Sequence, residues 1–192
     1  MNGSQTLLDS FLSEYAALAP IKESIAGASQ MLIDCFAGGG KLLICGNGGS
    51  AADSEHIVGE LMKGFERKRE LTAAQKERFP DTREGAFLAG GLQNALPAIS
   101  LVSQSALISA IGNDNGASLV FAQQVWGYGK EGDVLLALST SGHSENVVLA
   151  AQTARAKGLK ILAITGKKDS RLSRLADLTL FLPAETPHAV QE

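Results

Sequence analysis

The sequence predicts an α/β domain: a three-layer sandwich around a central, mostly parallel five-stranded sheet, preceded by N-terminal helices. Three observations carry this expectation. Five short apolar runs, at Lys41 to Cys45, Ala98 to Val102, Asp133 to Leu138, Lys160 to Thr165 and Leu178 to Leu182, are bounded by turn residues, as strands buried on both faces are. Segments of helical periodicity lie between them, and that alternation favours parallel neighbours joined by right-handed crossovers. The chain has 192 residues, 45% hydrophobic and 19% charged, which suits one globular domain with a full core.

The elements follow in order. Gln5 to Ala19 places Leu7, Leu8, Phe11, Leu12, Tyr15 and Leu18 at helical spacing, with Pro20 as the stop. A second helix carries the stripe Ile21, Ile25, Met31, Leu32, Cys35 and Phe36 and ends at Gly38-Gly39-Gly40. Further helices are expected over Ser50 to Phe65, Ser105 to Ile111, Ala117 to Trp126 and Glu145 to Lys157. The rhythm breaks at Glu66 to Leu96, where a stretch rich in Lys, Arg and Glu gives way to apolar residues and glycines. This reads as an inserted segment, partly helical and mostly solvated, lying over the domain or at a subunit contact. The organisation is therefore a single domain over 1–192, with N-terminal helices in 1–40 and the insertion at 66–96.

Composition bounds the function. A net charge of -3 gives no global basic footprint for nucleic acid. No stretch reaches the roughly 18 to 20 apolar residues of a membrane span, and the start MNGSQTLLDS lacks the charged and apolar regions of a signal peptide, so the expected location is the cytoplasm. Cys35 and Cys45 are the two cysteines and suggest neither a disulfide framework nor a Cys-type zinc site.

Two loops follow strands on the same edge of the sheet. Gly46-Asn47-Gly48-Gly49-Ser50 follows the first strand, and Ser139-Thr140-Ser141-Gly142-His143-Ser144 follows the third. In open α/β sheets ligands bind outside the carboxyl ends of the strands. A hydroxyl-rich turn at a helix start supplies O-H donors and unpaired backbone N-H groups in a field that favours an anion. The Ser139 to Ser144 loop contains neither G-x-x-x-x-G-K-[ST] nor G-x-G-x-x-G, which argues against a nucleoside triphosphate and weakens a dinucleotide reading. Hydroxyls without a strong cation suit one phosphomonoester.

His56 and Glu60 stand four residues apart on the helix after the first loop, about 6 Å apart at Cβ. An imidazole and a carboxylate so spaced can share a divalent metal or act as an acid/base pair. A solvated surface contact is the plainer alternative for the same spacing.

The segments GNGGSAADSEH, IGNDNG at Ile111 to Gly116, GDVLLALSTSGHSENV at Gly132 to Val147 and PAETPHAVQE at the end together resemble the sugar isomerase (SIS) domain family, and within it the phosphoheptose isomerases. The resemblance implies a flavodoxin-like sheet order and an aldose-ketose isomerase acting on sedoheptulose 7-phosphate, a step toward the heptose of surface glycans. It implies that Asn47, Gly48, Ser50, Asn113, Asp114, Ser139, Thr140, Ser141 and Ser144 bind substrate. It also implies that His56, Glu60 and Gln191 surround a zinc ion, that Glu60 moves the proton, that Asp114 orients the sugar, and that the protein is a homotetramer with sites built between subunits. Family members continue beyond the motif at Gln191 into a last helix with a further histidine. That helix is expected to be missing from this chain, with His188 as a possible stand-in ligand and His143 as a loop or subunit contact.

Two other readings stay open at this stage. The domain could be a non-catalytic protein-binding module of the kind that engages a replication initiator, or a sensor or isomerase for another phosphosugar. Joint retention of His56, Glu60 and Gln191 favours the enzyme, because a binding module has no need of that set.

Overall fold

The computed structural model describes residues 3–182. Its centre is a five-stranded sheet in the order β2-β1-β3-β4-β5, formed by β1 (Leu42–Cys45), β2 (Ala98–Ser100), β3 (Val134–Leu138), β4 (Lys160–Thr165) and β5 (Leu178–Phe181). Every pairing between these strands is parallel, in keeping with the expected mostly parallel sheet. In β1, Leu43 pairs with Ile99 on one side and Leu135 on the other.

Alternation along each strand makes two cores. Leu43 and Cys45, with Leu135, Ala137, Ile161 and Ala163, face α7 (Val120–Tyr128) and α8 (Glu145–Ala156), meeting Phe121, Val125, Val147, Val148, Ala151 and Ala154. Leu42 and Ile44, with Val134, Leu136 and Leu162, face α2 (Lys22–Ala37) and α3 (Gly49–Met62), meeting Ala28, Met31, Leu32, Ile57, Val58 and Leu61. The uninterrupted apolar runs of the sequence are thus strands with a helical layer on each side. The small residues Ala150, Ala151 and Ala154, all fully buried, let α8 lie close on the sheet.

The edge of the sheet away from the loops is tied by one buried carboxylate. Asp133 is fully buried and accepts the backbone N-H groups of Lys41 and Lys130 at 2.9 Å each and the Lys41 ammonium at 2.5 Å, which joins the starts of β1 and β3. Cys35 and Cys45 are free and buried.

Helix boundaries differ from expectation where backbone chemistry overrides periodicity. The first helix, α1 (Gly3–Glu14), stops early, and Ala16–Ile21 becomes a 3-10 turn with Pro20 inside it, since proline removes a donor and crowds the carbonyl four residues back. α3 stops at Met62, three residues short, because Lys63 turns to extended backbone. The helix expected over Ser105 to Ile111 runs on as α6 (Ser105–Asp114), and the next begins as a 3-10 turn at Ala117–Leu119 before α7. The 66–96 segment contains α4 (Ala73–Lys76), opened by a Thr72/Gln75 capping box, and α5 (Arg83–Gly91). Phe87 on α5 is 78% exposed. No helix among the described residues is long and apolar enough to cross a membrane.

Candidate active site

The chain leaves β1 into α3 on one face of the sheet and leaves β3 into α8 on the other. The neighbouring carboxyl ends of β1 and β3 are therefore the point where the winding changes direction, the place where doubly wound sheets open a crevice. Both loops singled out in the sequence lie there.

The first loop turns on Gly48, whose φ of 57° suits a residue without Cβ and which precedes α3 with no side-chain cap. Gly46 lies against Ser50, where a Cβ would sit 2.7 Å from the serine Cβ. The backbone of the strand end and the first turn of the helix are in this way packed together, and Ser50 is buried between them.

The second loop is held by its own hydroxyls. Ser139 Oγ accepts the Gly142 N-H at 3.1 Å and lies 3.1 Å from Ser144 Oγ, while Ser141 Oγ accepts the His143 N-H at 3.2 Å. Gly142 has φ 66°, and a side chain there would run into Ser170 and Thr165. Ser144 precedes α8 without capping it, its hydroxyl being turned toward Ser139. Two helix starts, α3 and α8, therefore offer N-H groups to the same crevice.

Asn47 and Asn146 join the loops across 99 residues of sequence. Each amide nitrogen donates to the other's oxygen at 2.9 Å, a reciprocal pair that sets the separation of the two helix starts. Nearby lies a cleft of about 190 Å³ lined by Ser50, Asp53, Ile57, Ser139, Thr140 and Leu182 among others, in which Asp53 is the one charged side chain among the described residues. Ser50, Ser139 and Thr140 supply hydroxyls to it, while the Asp53 carboxylate opposes an anion placed close to it.

His56 and Glu60 occupy the next face of α3, with His56 Nε2 4.0 Å from Glu60 Oε1 and the side chains 78% and 46% exposed. The cleft reaches Ile57, and the pair stands outside its lining on the same rigid helix. Asn113 and Asp114 form the last turn of α6, where the Asn113 amide donates to Asp114 Oδ1 at 2.7 Å; both are exposed and neither lines the cleft. Gln191 and His188 lie outside the described residues.

A sequence profile of the SIS domain matches residues 103–191, and a second SIS domain profile matches 11–76. The phosphoheptose isomerase of Shewanella sediminis is 37% identical over 175 residues, which is 90% of this chain and 77% of that one. This chain belongs to the phosphoheptose isomerase family. Two solved phosphoheptose isomerases agree in fold. That from Francisella tularensis has a TM-score of 0.73 at 30% identity, covering 100% of this chain and 91% of its own. That from Neisseria gonorrhoeae has a TM-score of 0.73 at 28% identity, covering 98% and 88%.

A metal in such a site needs three or four donors. Among the described residues no group of three or more His, Cys, Asp or Glu side chains comes together to supply them. His56 and Glu60 provide two donors of suitable type one helical turn apart, so the described residues fit part of a zinc site.

Asn146 and Asp53 went unremarked in the sequence. Asp53 had a local signal, one turn beyond Ser50 on the cleft side of α3. Asn146 had none, because its meaning comes from a partner at the far end of another strand.

Proposed function

We propose that this protein interconverts D-sedoheptulose 7-phosphate and D-glycero-D-manno-heptose 7-phosphate through an enediolate. The observation that carries the reading is that α3 starts beside the serine-rich loop after β3 and presents the Glu60 carboxylate near its other end, in a chain of the phosphoheptose isomerase family.

The phosphate takes the crevice, bound by Ser50, Ser139, Thr140, Ser141 and Ser144 and by the N-H groups at the starts of α3 and α8. Asn47 and Gly48 shape its first wall. Its binding energy fixes the far end of the sugar without entering the chemistry. Glu60 removes a proton from C1 of the ketose, and the C1-C2 bond gains double-bond character as the carbonyl electrons move to O2. Returning the proton to C2, with transfer of the hydroxyl proton from O1 to O2, completes the aldose. His56 lies beside Glu60 and orients its carboxylate, and Asn113 and Asp114 contact the sugar hydroxyls.

His56 and Glu60, with Gln191, would hold a zinc ion, which when bound supplies positive charge to the enediolate oxygens. The protein is a homotetramer in this reading, with a neighbouring subunit covering the exposed His56 and Glu60 pair. The activity suits a cytoplasmic enzyme of surface-glycan heptose supply.

The test follows deuterium. In D2O the isomerase incorporates solvent label at C2 of the product, seen by NMR as sedoheptulose 7-phosphate converts. Binding of the phosphosugar with neither conversion nor label exchange would remove the isomerase reading and leave a sugar phosphate sensor.

A further inference from the structure

The last carbonyls of a helix have no partners within it. At the end of α3 these include the carbonyl of Glu60 itself, and they are not left to water. Arg69 Nη2 donates to Leu61 O at 2.6 Å and to Glu60 O at 3.1 Å, while its Nε donates to Asn94 O at 3.0 Å. A guanidinium here also meets the negative end of the helix dipole.

Arg69 is itself fixed. Its N-H donates to Gln93 Oε1 at 3.1 Å, and the same oxygen accepts the Gly64 N-H at 3.1 Å. Asn94 N donates back to Arg69 O at 2.6 Å, Glu70 and Gln93 form an antiparallel bridge, and Leu96 N donates to Leu61 O at 2.9 Å. Both ends of the 66–96 segment thus converge on the last turn of α3. The reversal between them needs Gly64, which is buried and whose Cβ would collide with the Arg67 carbonyl.

We propose that the Glu66 to Leu96 segment braces the catalytic end of α3, with Arg69 as the positioning residue for Glu60. The inference deepens the isomerase reading and rests on it for its kinetic consequence. Glu60 lies two residues from the end of α3, in a turn that would otherwise fray. The fork of Arg69 grips the backbone of that residue and of its neighbour together, and a lysine cannot reach both carbonyls and Asn94 at once. The phosphate seat lies at the opposite end of the helix, so the brace acts on the reacting end of the sugar alone.

The experiment pairs amide hydrogen exchange with steady-state kinetics on the full chain and its R69Q and R69K variants. R69Q should raise exchange at Lys63 and Leu96 at least tenfold and lower kcat by about 10- to 100-fold, since a small misplacement of a reacting group costs on that order. KM should change less than about threefold, because the phosphate contacts are untouched. R69K should recover part of both. Should R69Q not fold, Q93A frees the Arg69 and Gly64 N-H groups more gently and should shift exchange and kcat in the same direction. Unchanged exchange, lost protection with unchanged kcat, or an effect on KM alone would each overturn the proposal. If the wild-type protein turns over no phosphosugar, the isomerase reading fails separately, and the exchange result alone decides the brace.

Discussion

In the proposed reaction Glu60 is the one base, on a helix whose other end is the proposed phosphate seat. Replacing it by Gln keeps shape and removes the base, so Glu60→Gln should lower kcat about a thousandfold with KM little changed, measured by label exchange as well as turnover. At Gly142 the constraint is steric: φ is positive and a Cβ would meet Ser170 and Thr165. Gly142→Ala should cost about 1–2 kcal/mol in denaturant unfolding and raise KM, because the second loop can no longer close on a phosphate. Cys45 gives a pH signature. It is fully buried, and desolvation pushes its thiol from 9.0 up to about 12. The unfolded chain releases this proton first, so folding binds a proton above pH 9. Stability should fall by about 1.4 kcal/mol per pH unit between 9 and 12, and Cys45→Ala should remove that component of the slope in urea titrations.

At the level of elements, Asp133 holds β1 and β3 together at their starts. Asp133→Ala leaves two part-buried N-H groups and the Lys41 ammonium without their partner, and should lower stability by about 2 kcal/mol while leaving KM unchanged, since the crevice lies at the other end of the strands. This division of labour also explains what the sequence made legible. All five strands were readable because a strand covered on both faces is apolar throughout, and β4 matched its expected span of Lys160–Thr165. Helix ends were less so: Lys63 breaks α3 because the chain must turn toward Arg67, a contact that periodicity does not register. Within the site, the Ser139 to Ser144 loop and the His56/Glu60 spacing are local patterns. The Asn47–Asn146 amide pair and the grip of Arg69 on Glu60 are meetings of distant segments, and each becomes visible only with the fold.

Across the whole molecule, apolar side chains remain on the surface in more than one place. Phe11 of α1 and Tyr15 just after it lie with ring centroids 4.9 Å apart yet stay open to solvent, as does Trp126 on α7. Such surface is what self-association buries. Sedimentation at micromolar concentration should give the mass of four chains, and Phe11→Ser with Tyr15→Ser should lower it; a monomeric mass for the unaltered protein would remove the tetramer. One last property follows from the amide pair that spans the crevice. Asn47 is exposed and is followed by Gly48, the neighbour that best permits ring closure of an asparagine side chain onto the next backbone nitrogen. Hydrolysis of that ring leaves a carboxylate, which can accept from Asn146 but not donate to it, and which sets a negative charge beside the proposed phosphate seat. The protein therefore carries its own ageing clock: stored preparations should accumulate an acidic isoform whose hold on phosphorylated sugar weakens in step with its appearance.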